Sequence, residues 1–136
     1  MTPEQLMNTA IEAMKMSYSP YSKYRVGAAL LAKGGMVYTG CNIENAAYSP
    51  TVCAERCAIF KAVSEGVQEF EAIAVVGCRD DGMPRTAFPC GVCRQVMAEF
   101  CDTDSFMIYV LGQGGDVEGH TLAQLLPESF GKSDLC

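Results

Sequence analysis

The sequence predicts an α/β sandwich built on one mixed sheet. Three observations carry that expectation: a capped amphipathic helix at the N-terminus, a hairpin directly after it, and strands alternating with helices through the remainder. The 136 residues, 49% hydrophobic and 19% charged, suit one domain over 1–136. The stretch 131–136, beyond the last apolar pattern, reads as a loose tail.

Each element has its own signal. Thr2 is placed to cap the first helix, Pro3 suits its first position and Gln5 completes a capping box, with Leu6, Ala10, Ile11 and Met14 on one apolar face. Residues 25–31 and 36–39 flank Lys33-Gly34-Gly35, which predicts an antiparallel hairpin. Residues 40–52 keep no period and read as a structured loop. A helix over 53–65 follows from Ala54, Ala58, Ala62 and Val63 at helical spacing, with Gly66 as its stop. Residues 73–76 are short and β-branched, as a buried strand requires, and the loop 79–89 leads to a helix over 91–100. A further strand at 106–110 precedes the turn at 112–115, and Thr121-Leu122-Ala123-Gln124 opens a short helix that should end near Pro127.

Composition excludes several function classes. The N-terminus offers no basic stretch followed by an apolar run and a cleavage site, and no apolar segment approaches the ~18 residues of a membrane span. A cytoplasmic setting without a membrane partner is therefore expected. Sixteen acidic residues against ten basic ones give a net charge of −6, and the basic residues are dispersed, which argues against a nucleic-acid partner.

Eight cysteines are the unusual feature of the composition. Outside an oxidising compartment, clustered cysteines bind metal or remain buried thiols more often than they form disulfides. Cys53 falls at the start of one expected helix, and Cys90 and Cys93 fall on the first turn of another. The positive end of a helix lowers thiol pKa values, so two adjacent N-termini could hold three thiolates around one zinc ion. Three protein ligands leave the fourth position open to water, and Glu55 is placed to take that water's proton. Cys-Ala-Glu followed by Pro-Cys-x-x-Cys resembles the zinc deaminase signature, with cysteine where that signature has its first histidine.

Three thiolates outweigh Zn²⁺ by one negative charge, which calls for compensation. Arg56, Arg94 and Gln95 are the candidates to donate hydrogen bonds to the ligand sulfurs. Two rival readings stay open at this point: a closed structural site of Cys53, Cys57, Cys90 and Cys93, and a set of buried thiols without metal. His120, the single histidine, reads as a turn residue rather than a ligand. Cys41, Cys78 and Cys101 read as buried thiols and Cys136 as an exposed tail thiol.

Four blocks then resemble the cytidine deaminase family in its small homotetrameric form with three cysteine ligands: Tyr21 to Leu30, Gly40 to Tyr48, Cys53-Ala54-Glu55-Arg56, and Pro89 to Gln95. The likeness spans about 1–130. It implies a three-layer α/β/α sandwich with a mixed five-stranded sheet and one zinc per subunit. The implied reaction is hydrolytic deamination of cytidine and 2'-deoxycytidine in pyrimidine salvage, by attack of zinc-held hydroxide on C4 with Glu55 as proton shuttle.

The resemblance also implies that Asn42 and Glu44 bind the ribose 3'-hydroxyl, that the Ala54 amide holds the base, and that Tyr24 lies against the nucleoside. Tyr48 and Phe130 would serve a site shared between subunits. Two departures stand out: Tyr24 where the family commonly has Phe, and Phe88 in place of a usual Ser. Two alternatives accompany this reading, a deaminase of cytosine-nucleoside antibiotics on the same fold and a non-catalytic four-cysteine zinc module.

Overall fold

A computed structural model describes residues 1–135. Helix α1 (Pro3–Met14) carries the expected capping box, Thr2 and Gln5 each bonding the other's backbone amide. Strands β1 (Arg25–Ala32) and β2 (Val37–Cys41) form the expected hairpin, its turn closed by a left-handed Gly35. Then come α2 (Ala54–Ser64), β3 (Phe70–Cys78), α3 (Gly91–Phe100), β4 (Met107–Leu111), β5 (Val117–Thr121), α4 (Leu122–Leu125) and a last helical turn, α5 (Lys132–Leu135).

The five strands form one mixed sheet in the order β2-β1-β3-β4-β5. The β1–β2, β1–β3 and β4–β5 pairs are antiparallel and β3–β4 is parallel, joined through α3 as a parallel pair requires. Alternation along β1 divides the core. Ala29 and Leu31 face α1 with Leu6, Met7, Ala10 and Met14, while Ala28 and Leu30 face Ala58, Ile59, Met97 and Phe106 on the opposite side. This is the three-layer α/β/α sandwich.

Three elements differ from the sequence expectations. β3 runs for nine residues rather than the four around Ile73, extending through Glu71 and Gly77. His120 sits on β5 opposite Ile108 rather than in a turn. Residues 132–135 form a helical turn where a loose tail was expected, with the Gly131 amide donating to the Asp134 carboxylate. Cys136 lies outside the described residues.

Candidate active site

Register explains why the site forms where it does. Gly27 pairs with Cys41 and Arg25 with Cys78, so the end of β2, the start of β1 and the end of β3 share one end of the sheet. Helix α2 begins there through the loop after β2. The chain after β3 folds back through the Gly77–Arg85 bridge and reaches Cys90 at the head of α3. Cys53 and Cys90 are the N-cap residues of α2 and α3, and neither side chain caps its helix, which leaves both sulfurs available.

The sulfurs of Cys53, Cys90 and Cys93 lie within 4.8 Å of one another, with Cys53 and Cys90 at 3.8 Å and Cys90 and Cys93 at 3.5 Å. Cys57, one turn along α2, stands outside this group and beside Gly40 instead. Three converging thiols at two helix N-termini form a donor set suited to zinc, with a position left for water. The closed four-cysteine arrangement does not form.

Arg56 Nη2 donates to Cys53 Sγ at 3.3 Å, as one of the sequence candidates predicted. A hydrogen bond from the Cys93 thiol, countered by burial and aided by Arg56 and Cys90, brings the Cys53 thiol down to about 5. Cys93 is pushed the opposite way, first because its thiol is the donor in that pair and then because it is buried. Arg94 and Gln95 behave differently from the expectation. Arg94 bonds the Pro89 and Leu125 carbonyls, and Gln95 bonds the Phe130 carbonyl, so neither meets a sulfur.

Glu55 is 3% exposed and lies on the first turn of α2. Burial pushes its carboxyl up to about 7, with the Cys53 charge adding to the effect. It lines a recess of about 420 Å³ together with Tyr24, Val26, Asn42, Thr51, Ala54 and Phe88, beside Cys53 and Cys90. The sequence candidates Tyr24, Asn42, Ala54 and Glu55 thus share one cavity with two of the candidate ligands.

The Asn42 side chain orders the wall of that cavity. Its Oδ1 accepts from the Val26 amide at 2.8 Å and its Nδ2 donates to the Tyr24 carbonyl at 2.8 Å. The Tyr24 ring crosses the sheet at Gly77, where a Cβ would lie 2.8 Å from Cζ of the tyrosine. A side chain at position 77 would push the hydroxyl end of the Tyr24 ring aside.

Glu44, Tyr48 and Phe130 lie outside the recess. Glu44 accepts from the Tyr21 and Ser22 amides at 3.0 and 3.1 Å and from the Ser22 hydroxyl, which holds its carboxyl below the usual range. With Tyr21, Ser22, Tyr48 and Thr51 it lines an adjoining recess, where the Tyr21 and Tyr48 rings meet edge to face at 6.3 Å. Phe130 is 59% exposed, its carbonyl held by Gln95.

Two features escaped the sequence reading. Phe88 packs its ring against His120 at 5.5 Å and 64°, and His120 Nε2 is buried with no hydrogen-bond partner among the described residues. Cys41 is partly exposed, whereas Cys78 and Cys101 are buried as expected. Among the described residues no helix is long and apolar enough to cross a membrane.

Comparison with known proteins agrees with this geometry. The family described as cytidine and deoxycytidylate deaminase zinc-binding region matches residues 1–109. A cytidine deaminase of Sporosarcina psychrophila is 52% identical over 135 residues, covering 99% of this chain and 96% of that protein. One from Halalkalibacterium halodurans is 47% identical, covering 99% and 98%. The 1.6 Å crystal structure of cytidine deaminase from Burkholderia pseudomallei superposes with a TM-score of 0.85 at 42% identity, covering 96% of this chain and all of that one. The chain belongs to the cytidine and deoxycytidylate deaminase family defined by this zinc-binding region.

Proposed function

We propose that this protein is a zinc-dependent cytidine deaminase, converting cytidine and 2'-deoxycytidine with water to uridine and 2'-deoxyuridine plus ammonia. The observation that carries the proposal is a buried carboxyl, Glu55, facing the same recess as two sulfurs of the three-thiol cluster. Cys53, Cys90 and Cys93 hold the metal, and zinc when bound supplies a Lewis acid that makes water a nucleophile near neutral pH.

The residues of the chain do the remaining work. Glu55 takes a proton from the attacking water and passes it to ring N3, as the water oxygen bonds to C4. It then moves the remaining hydroxyl proton to the 4-amino nitrogen, which leaves as ammonia when the C4–N4 bond breaks. The Ala54 amide and the Tyr24 ring orient the base, and Asn42 with Glu44 receives the ribose 3'-hydroxyl. A site that hydrogen-bonds a substrate hydroxyl discriminates against analogues that lack it.

Arg56 offsets the excess thiolate charge through its bond to Cys53. The proposal extends to the assembly: a homotetramer of single-domain subunits, in which the exposed rings of Tyr48 and Phe130 complete sites shared with neighbouring copies, working in the cytoplasm on small nucleosides. A cytidine assay read by ammonia release, run with and without chelator, tests the central claim. Turnover that is lost on chelation and restored by zinc is expected, and no turnover from zinc-loaded protein would sink it.

A further inference from the structure

The two ligands of α3 are placed by different means. Cys93 is fully buried and fixed by the packing around it. Cys90 is exposed, it is an N-cap without a side-chain cap bond, and it follows the irregular loop 79–89. The Cys90 carbonyl accepts from the Arg94 amide in the first turn of α3 at 3.0 Å and Pro89 before it is buried, so what remains to be fixed is the orientation of the Pro89–Cys90 peptide that aims the exposed Cys90 side chain.

Arg94 meets that need. Its Nε donates to the Pro89 carbonyl, half of the peptide joining Pro89 to Cys90, at 2.7 Å. Its Nη1 donates to the Leu125 carbonyl, at the end of α4, at 2.6 Å. A guanidinium presents its donors in a rigid planar fork, so these two bonds set the distance between two separate backbone segments. The Leu125 carbonyl is one of the orphan acceptors of a helix C-terminus, which makes it a natural anchor. The side chain of the next residue, Gln95, donates to the Phe130 carbonyl, further along the same C-terminal segment.

We infer that Arg94 is a positioning residue for the metal ligand Cys90, clamping the Pro89–Cys90 peptide to the end of α4 rather than donating to a sulfur. The inference rests on the three-thiolate zinc reading. It separates Arg94 from Arg56, which acts on a ligand sulfur directly, and from Gln95, whose side chain donates to the Phe130 carbonyl.

The experiment compares wild type, Arg94→Gln, Arg94→Lys and Gln95→Ala as zinc-loaded proteins. Zinc transfer to a chromophoric chelator is timed under native conditions, and visible spectra of the cobalt-substituted forms report ligand geometry. Arg94→Gln should release zinc about 10–100-fold faster than wild type and shift the cobalt bands. Arg94→Lys keeps the charge but not the fork, and should fall between the two. Gln95→Ala should match wild type in both readouts.

Wild-type protein that binds no zinc would remove the three-thiolate reading itself. Zinc-loaded wild type with Arg94→Gln releasing metal within about twofold of it, and an unshifted cobalt spectrum, would overturn the role of Arg94. Should Arg94→Gln fail to fold, Arg94→Lys decides by the same criterion.

Discussion

Gly40 on β2 lies against Ala58 on α2 so closely that a Cβ on the glycine would sit 2.7 Å from the Ala58 amide nitrogen, and closer still to the Ala54 carbonyl oxygen. No side chain there can swing aside, because the obstruction is helix backbone. Helix α2 carries Cys53 at its cap and Glu55 on its first turn, so this approach sets the height of a ligand and of the proton shuttle above the sheet. Gly40→Ala should cost about 1–3 kcal/mol of stability by overpacking. Urea unfolding measures that cost, and zinc content should fall with it as the head of α2 is displaced. Wild-type stability with full zinc content would mean the helix can shift freely.

Glu55→Gln separates metal binding from proton transfer. The amide is nearly isosteric and the three sulfurs are untouched, so the variant should retain one zinc per chain. It cannot accept the water proton, and cytidine turnover should fall by at least about 10²–10⁴-fold. Metal analysis alongside the spectrophotometric assay checks both halves. Near-wild-type turnover would take Glu55 out of the mechanism.

What the sequence made legible was local. The Thr2–Gln5 capping box, the Gly35 turn and the cysteines at two helix caps depend on spacings of a few residues, and each forms as expected. What stayed hidden depends on partners far along the chain. β5 contains Glu118, Gly119 and His120, a poor strand by propensity, and it exists because β4 pairs with it. Arg94 looked like a sulfur donor because it adjoins Cys93, yet its side chain reaches Leu125, 31 residues away. Adjacency to a ligand in sequence does not fix where a long side chain points.

Arg56 donates to Cys53 Sγ, and that bond withdraws electron density from a ligand set carrying more negative charge than zinc can balance. Arg56→Gln loses the charge and its distributed donors. The variant should keep its metal but lose about 10–100-fold in kcat, with little change in KM, because the effect falls on the reacting water rather than on nucleoside binding. Steady-state kinetics on metal-quantified protein reads this split. A rise in KM at constant kcat would place Arg56 in substrate binding instead.

The cysteines also predict a pattern of chemical modification. Cys57 lies outside the sulfur cluster, so Cys57→Ser should keep zinc, whereas Cys90→Ser should lose it. Burial pushes the Cys101 thiol up to about 12, leaving a thiolate fraction on the order of 10⁻⁴ at pH 8. Burial raises Cys78 as well. Iodoacetamide on zinc-loaded protein should therefore spare both, along with the three ligands, and chelation should expose Cys90 first because it is the ligand open to solvent.

The same shift carries a stability signature. An unfolded Cys101 titrates near 8.5, so between about 8.5 and about 12 the unfolded chain binds fewer protons than the folded one, and stability falls as pH rises through that window. Mass spectrometry of the alkylated peptides checks the order of reaction. Cys101 reacting as fast as Cys90 in chelated, folded protein would mean that the packing between α3 and the sheet opens far more readily than its burial indicates.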